Sequence, residues 1–238
     1  MEVSQSSYHD VSPDDAVIYT DIPWMDSYRG NPLIEALPAI LSDSDAYKAL
    51  KYLPDLKSHT KNIPNEIRYH LIYDVFRFFR PLSIHLELQR KISTMIRAGY
   101  VGRNPVDKNY YPQLQKIVAE DVNNPSIPYR SSKPTFYIVG VSGVGKSRSV
   151  EQVLSLYPQV IRHDEYMGRR LSFTQIVWLK VDCPFDGSFK GLCVNIFQAI
   201  DELLGTNCVM EYAVDGKPGT VDMMRSLRRL VWLYGIGC

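Results

Sequence analysis

The sequence predicts an α/β fold: a parallel sheet with helices on both faces, preceded by an α-helical N-terminal region. Three observations carry this. Apolar β-prone runs occur at Phe136-Tyr137-Ile138-Val139 and from Ile176 to Val181. A glycine-rich loop, Gly140 to Ser147, leads from the first run into a segment of helical periodicity. Long amphipathic helices then alternate with the runs, which implies parallel pairing through helical crossovers.

The elements follow in chain order. Residues 1–30 hold six acidic residues (Glu2, Asp10, Asp14, Asp15, Asp21, Asp26), one basic residue and no helical periodicity, so they read as a flexible arm. Trp24 and Met25, after Pro23, either dock elsewhere or lie on the arm's own domain. Residues 31–130 read as a helical region cut by prolines at 32, 38, 54, 64 and 81. Ile67, Leu71, Ile72, Val75, Phe78 and Phe79 recur at three- and four-residue steps, predicting a helix over Asn65–Phe79 that Pro81 stops. A second helix starts after Ser83, places Ile84, Leu88, Ile92, Met95 and Ile96 on one face, and ends at Gly99. Residues 100–133 read mostly as loop, with a short helix near Gln113–Ala119.

Residues 131–238 form the predicted sheet domain. After the glycine-rich loop, Val150, Val153, Leu154 and Tyr157 keep helical steps until Pro158. Ser188 to Leu204 is a long amphipathic helix with Gly205 as its stop, and Val221 to Tyr234 is a last helix between Thr220 and Gly235. His163-Asp164-Glu165 reads as polar loop, because adjacent residues on an extended chain point to opposite faces and cannot share one metal.

Composition narrows the class. The apolar share of 45% and charged share of 22% suit an ordinary globular chain. No run is long and apolar enough to span a bilayer, and the N-terminus lacks a signal-peptide core. The four cysteines show no metal spacing, which predicts free thiols in a reducing cytoplasm. Charge is uneven: residues 81–180 carry 14 Lys and Arg against 7 Asp and Glu, a balance suited to a polyanion or to solvated helix faces.

The loop matches GxxxxGK[ST] at every position: Gly140, Val141, Ser142, Gly143, Val144, Gly145, Lys146, Ser147. Such a string arises by chance in about one of 100 chains of this length. Its glycines let successive N–H groups converge on phosphates, helped by the positive end of the following helix. Lys146 should reach the β- and γ-phosphates and the Ser147 hydroxyl should ligate Mg²⁺, so ATP with magnesium is the expected cofactor. Hydrolysis also needs an acidic pair at the end of an apolar strand. Asp182 ends the second run, but Val181-Asp182-Cys183-Pro184 has no following Glu, and the next apolar strand would begin near Ile236. The sequence therefore reads as incomplete at its C-terminus, before a Walker B strand, with catalytic residues unassigned and hydrolysis by this chain alone not expected.

Two further blocks accompany the P-loop. Tyr28-Arg29-Gly30-Asn31-Pro32-Leu33-Ile34-Glu35-Ala36-Leu37-Pro38 is one, followed by Arg80-Pro81-Leu82. Gln175-Ile176-Val177-Trp178-Leu179-Lys180-Val181-Asp182-Cys183-Pro184, with Asp186-Gly187-Ser188 and Lys190-Gly191-Leu192-Cys193, is the other. Together they resemble the TniB/TnsC family of AAA+ ATPases that regulate DNA transposition. The resemblance implies an AAA+-like fold and an ATP-dependent switch. It also implies homo-oligomeric rings or filaments on double-stranded DNA that link a TniQ- or TnsD-like target selector to the transposase. It implies that the full-length parent hydrolyses ATP. It places Tyr100-Val101-Gly102-Arg103 where such proteins pack adenine, the alternative being a helix C-cap and turn. Candidate DNA contacts are Arg162, Arg169, Arg170, Lys180 and Lys190, while Arg225, Arg228 and Arg229 share one face of the last helix. The competing readings are a signal-transduction NTPase switch that never touches DNA and a small-molecule kinase.

Overall fold

A computed structural model describes residues 17–54, 63–119, 134–216 and 218–238. Most of the acidic arm and the predicted boundary near residue 130 lie outside these residues. The chain forms two compact units, each assembled from separate stretches: Met1–Pro38, Thr94–Phe136 and Tyr157–Cys238 in one, Ala39–Ser93 and Tyr137–Leu156 in the other. Among the described residues no helix is long and apolar enough to cross a membrane.

In the first unit, α1 (Pro32–Glu35) is capped by Asn31, whose Oδ1 accepts from Leu33 N at 3.1 Å. The end of α4 (Ser83–Tyr100), α5 (Tyr110–Ala119), β1 (Val160–Tyr166), β2 (Arg169–Ile176), α7 (Phe189–Leu204) and α8 (Thr220–Leu233) complete it. Ser188 caps α7 by accepting from Gly191 N. The apolar stripe of α7 buries Cys193, Phe197 and Ile200 against Met223 and Leu230 of α8, with Ile176 and Ile236 in the same cluster. Tyr110 and Ile117 of α5 pack on Trp232.

The sheet departs from expectation. It has two strands, β1 and β2, and they pair antiparallel. The cause is local. Met167 and Gly168 have φ of 49° and 72°, the pair of positive values that closes a two-residue hairpin, and short loops close at low entropic cost. Ile161 and His163 of β1 lie opposite Gln175 and Phe173 of β2, on the face that Leu171 also buries. His163-Asp164-Glu165 is thus part of a bulged strand, not a loop. Nor is Phe136–Val139 a buried strand. It runs without a ladder partner among the described residues, with Tyr137 and Val139 exposed at 89% and 84%. The second expected strand is displaced, because β2 ends where it was to begin. Past that point Ile176 N donates to Tyr234 O, Cys238 N to Val177 O and Leu179 N to Cys238 O. These bonds run in the parallel sense, short of a strand.

A polar thread crosses this unit. Gln175 Nε2 donates to Leu33 O at 2.8 Å, so its Oε1 must accept from His163 Nε2, also at 2.8 Å. The His163 Nδ1 lone pair then takes the Tyr19 hydroxyl at 2.8 Å, which fixes a neutral tautomer and ties the arm to β1. Glu35 accepts from Gly30 N at 2.7 Å and from the Tyr166 hydroxyl at 2.6 Å. The two resemblance blocks therefore meet inside one unit. Burial holds His163 below the usual histidine range and lifts the Tyr19 phenol to about 12. The unfolded chain takes up a proton below a pKa of about 6.5 that folded His163 resists. Stability should therefore fall as pH drops through that value, by at most about 1.4 kcal/mol per pH unit for one proton. Urea midpoints measured across that range should show the slope, and His163→Asn should flatten it.

The second unit holds α2 (Asp43–Leu50), α3 (Asn65–Arg68), a 3-10 helix over His70–Arg77, the start of α4 and α6 (Lys146–Leu154). The predicted helix over Asn65–Phe79 is thus split. Ile72, Tyr73, Val75, Phe76, Phe78 and Phe79 are β-branched or aromatic and of low helix propensity. Tyr52 and Phe79 exchange backbone bonds of 2.9 Å that turn the chain before Pro81.

Candidate nucleotide-binding site

The loop between Val139 and α6 lies wholly in the second unit. Gly143 and Gly145 have φ of 80° and 88°, values open to glycine at little cost and strained for any other residue. A Cβ on either would meet nothing within 4 Å, so backbone conformation and not crowding demands glycine there. Gly145 is the N-cap of α6 and brings no side-chain acceptor to it. The amide N–H groups of Gly143, Gly145, Lys146 and Ser147 donate no backbone hydrogen bond among the described residues, while Ser142 and Gly143 form a turn. Together with the positive end of α6 they form a concave set of donors suited to an anion.

Charge agrees with geometry. The first turn of α6 has no acidic residue and carries Lys146 and Arg148. Lys146 Nζ bends back over the loop and donates to the carbonyls of Gly140 and Val141, both at 2.9 Å. Ser149 Oγ and N both bond Gly145 O, at 2.8 and 2.9 Å, and pin the first turn. Gly140, Val141, Ser142, Gly143, Val144, Gly145 and Ser147 are exposed, and Lys146 is half-buried. Among the described residues no group of three His, Cys, Asp or Glu side chains can hold a metal ion.

One neighbour escaped the sequence reading. Arg148, the residue after the motif, donates from Nη2 to Phe76 O at 2.9 Å. This fixes the 3-10 helix beside the start of α6. Nothing in the spacing of 72 positions announces such a bond.

The other predicted positions lie in the first unit. Tyr100 is fully buried and its hydroxyl donates to Ile176 O at 3.2 Å. Arg103 donates to the carbonyls of Gly99, Val231 and Ile236. Tyr100 to Arg103 therefore form a helix end and turn whose polar atoms are engaged internally. Asp182 is exposed, and its carbonyl accepts from Asn195 Nδ2 at 3.0 Å. Arg162, Arg169, Arg170, Lys180 and Lys190 are all exposed. Register puts Arg162 and Arg170 on one face of the hairpin, but Glu165, directly opposite Arg170, shares it. Arg225 pairs with Asp222 at 3.3 Å.

No curated protein matches the chain. One family model does match, described as an AAA domain, over residues 129–231. That span takes in the extended run, the loop, α6, the hairpin, α7 and most of α8. Residues 129–231 thus match an AAA domain of the AAA+ P-loop family, which suggests nucleotide binding.

Proposed function

We propose that this chain binds ATP with magnesium at Gly140–Ser147 and acts as an ATP-dependent regulator of DNA transposition of the TniB/TnsC kind. The observation that carries the nucleotide part is the loop itself: amides of Gly143, Gly145, Lys146 and Ser147 that donate no backbone bond, two left-handed glycines and Lys146 poised over them. The transposition part is supported by the resemblance blocks, which pack together through Gln175 and Leu33 and lie beside the Glu35–Tyr166 bond.

The loop's own residues suggest how binding becomes a switch. Lys146 now satisfies two loop carbonyls. To meet the β- and γ-phosphates it must leave them, so the Gly140–Val141 backbone is released as the nucleotide arrives. The amides of Gly143 to Ser147 orient the phosphates, and the Ser147 hydroxyl offers its oxygen to Mg²⁺. Bound Mg²⁺ supplies neutralisation of phosphate charge. The state selected this way is the one proposed to assemble as a homo-oligomer on double-stranded DNA and to engage a transposase and a TniQ- or TnsD-like selector.

Arg162, Arg169, Arg170, Lys180 and Lys190 are the proposed phosphate contacts on DNA, read without base specificity. If all five engage, affinity for a duplex should fall about 10²- to 10³-fold between 50 and 200 mM salt. Fluorescence anisotropy of a labelled duplex, with and without ATP, measures this. An ATP-loaded protein that ignores duplex at low salt sinks the transposition reading and favours a signal-transduction switch that does not bind DNA.

A further inference from the structure

Among the exposed aromatic side chains of the unit that holds the P-loop, Tyr73 and Phe76 form a ring pair. Tyr73 and Phe76 are exposed at 69% and 71%, with ring centroids 6.0 Å apart and planes tilted by 42°. Neighbouring exposed rings, unlike scattered single ones, mark a surface that meets something. Their position points to what that is. Phe76 O accepts from Arg148, the residue that follows Ser147, at 2.9 Å. An arginine side chain of six bonds spans roughly 7 Å, so the Phe76 backbone lies within about 10 Å of the first turn of α6. From β-phosphate to base, a nucleotide crosses the α-phosphate and ribose, a span on the order of 8–10 Å by the same bond lengths.

From this geometry we infer that Phe76, with Tyr73 beside it, is the stacking platform for the base of a nucleotide whose phosphates lie on Gly140–Ser147. The inference rests on the nucleotide reading of that loop. At 6.0 Å and 42° the two rings are too close and too tilted to sandwich a base. The base therefore stacks on the open face of Phe76, with Tyr73 flanking it. Arg148 is the positioning residue. By holding the Phe76 carbonyl it sets the ring's distance from the phosphates, and its guanidinium does not need to touch the ligand. This assigns base recognition to the 3-10 helix and not to Tyr100–Arg103, whose side-chain polar groups are engaged within the first unit.

Calorimetric titration of the whole chain with Mg·ATP and with Mg·tripolyphosphate separates base from phosphate. Phe76→Ala should weaken ATP about tenfold, within the range for losing one aromatic stack, and leave tripolyphosphate within about twofold. Phe76→Leu, which keeps bulk and removes the ring face, should behave alike. Since the ring is largely exposed, thermal melts of both variants should stay near wild type. Wild-type ATP affinity in both variants overturns the platform while leaving the phosphate site standing. Equal loss of ATP and tripolyphosphate also overturns it, since Phe76 would then act on the loop alone. A wild-type chain that binds neither ligand refutes the P-loop reading, and the platform with it.

Discussion

Lys146→Ala is expected to lower ATP affinity by about a hundredfold or more while the chain stays folded. Charge-assisted hydrogen bonds contribute about 1.5–3 kcal/mol each, and Lys146 is the side chain placed to make them with the β- and γ-phosphates. In the structure the same ammonium bonds the carbonyls of Gly140 and Val141. Those bonds are exposed to water, so losing both should cost no more than about 1–2 kcal/mol. The loop amides remain, but without the lysine they face a polyanion with one fewer positive charge. Mg·tripolyphosphate should lose affinity in parallel with ATP, which distinguishes this variant from those at Phe76. Calorimetry gives the affinities and circular dichroism the fold. Unchanged ATP binding would remove the central claim about this loop.

What the sequence discloses here depends on how local the physics is. The P-loop is legible because it is local: GxxxxGK[ST] dictates its own φ angles at Gly143 and Gly145, and a match over eight contiguous residues is rare. Helices α4 and α7 are legible for the same reason, through a long apolar period and, at α7, the Gly205 stop. The hairpin is harder to read although its signal is present. Ile161 and His163 alternate on β1, Leu171, Phe173 and Gln175 on β2, and Met167-Gly168 sits between them. A buried histidine and glutamine disguised the apolar face, because each is neutralised by a partner distant in sequence.

The parallel sheet shows the opposite limit. Apolar β-prone runs at 136–139 and 176–181 announce burial but not a partner, and pairing is non-local. In the structure the first run finds no ladder partner among the described residues, and only the backbone bonds between 176–179 and 234–238 run parallel. The Arg148–Phe76 bond is likewise invisible in one dimension. Exposed Phe76 reads as one more apolar step of a predicted helix until the backbone breaks into a 3-10 turn there.

Arg103→Ala should unfold or severely destabilise the first unit, at a cost of about 3–5 kcal/mol against a usual total of about 5–15. Arg103 is 4% exposed, and its guanidinium spans three carbonyls: Gly99 at 2.6 Å, Ile236 at 2.8 Å and Val231 at 3.3 Å. Gly99 lies in the last turn of α4 and Val231 in the last turn of α8, where carbonyls lack helical donors and the dipoles favour a cation. One planar fork thus closes two helix ends, and its carbon lies 5.3 Å from the centre of the Tyr100 ring. Alanine strips the buried Gly99 and Ile236 carbonyls of the guanidinium, while Val231 O keeps the Ile236 N–H at 3.0 Å. Lysine restores charge but not the fork, so Arg103→Lys should fall between wild type and alanine in urea midpoint. The same pair of variants decides what Tyr100–Arg103 is for. If the segment packs adenine, Arg103→Lys lowers ATP affinity more than tripolyphosphate affinity. If it is a structural turn, as its bonds indicate, the midpoint moves and the ratio of the two affinities does not, and base recognition is left to Phe76.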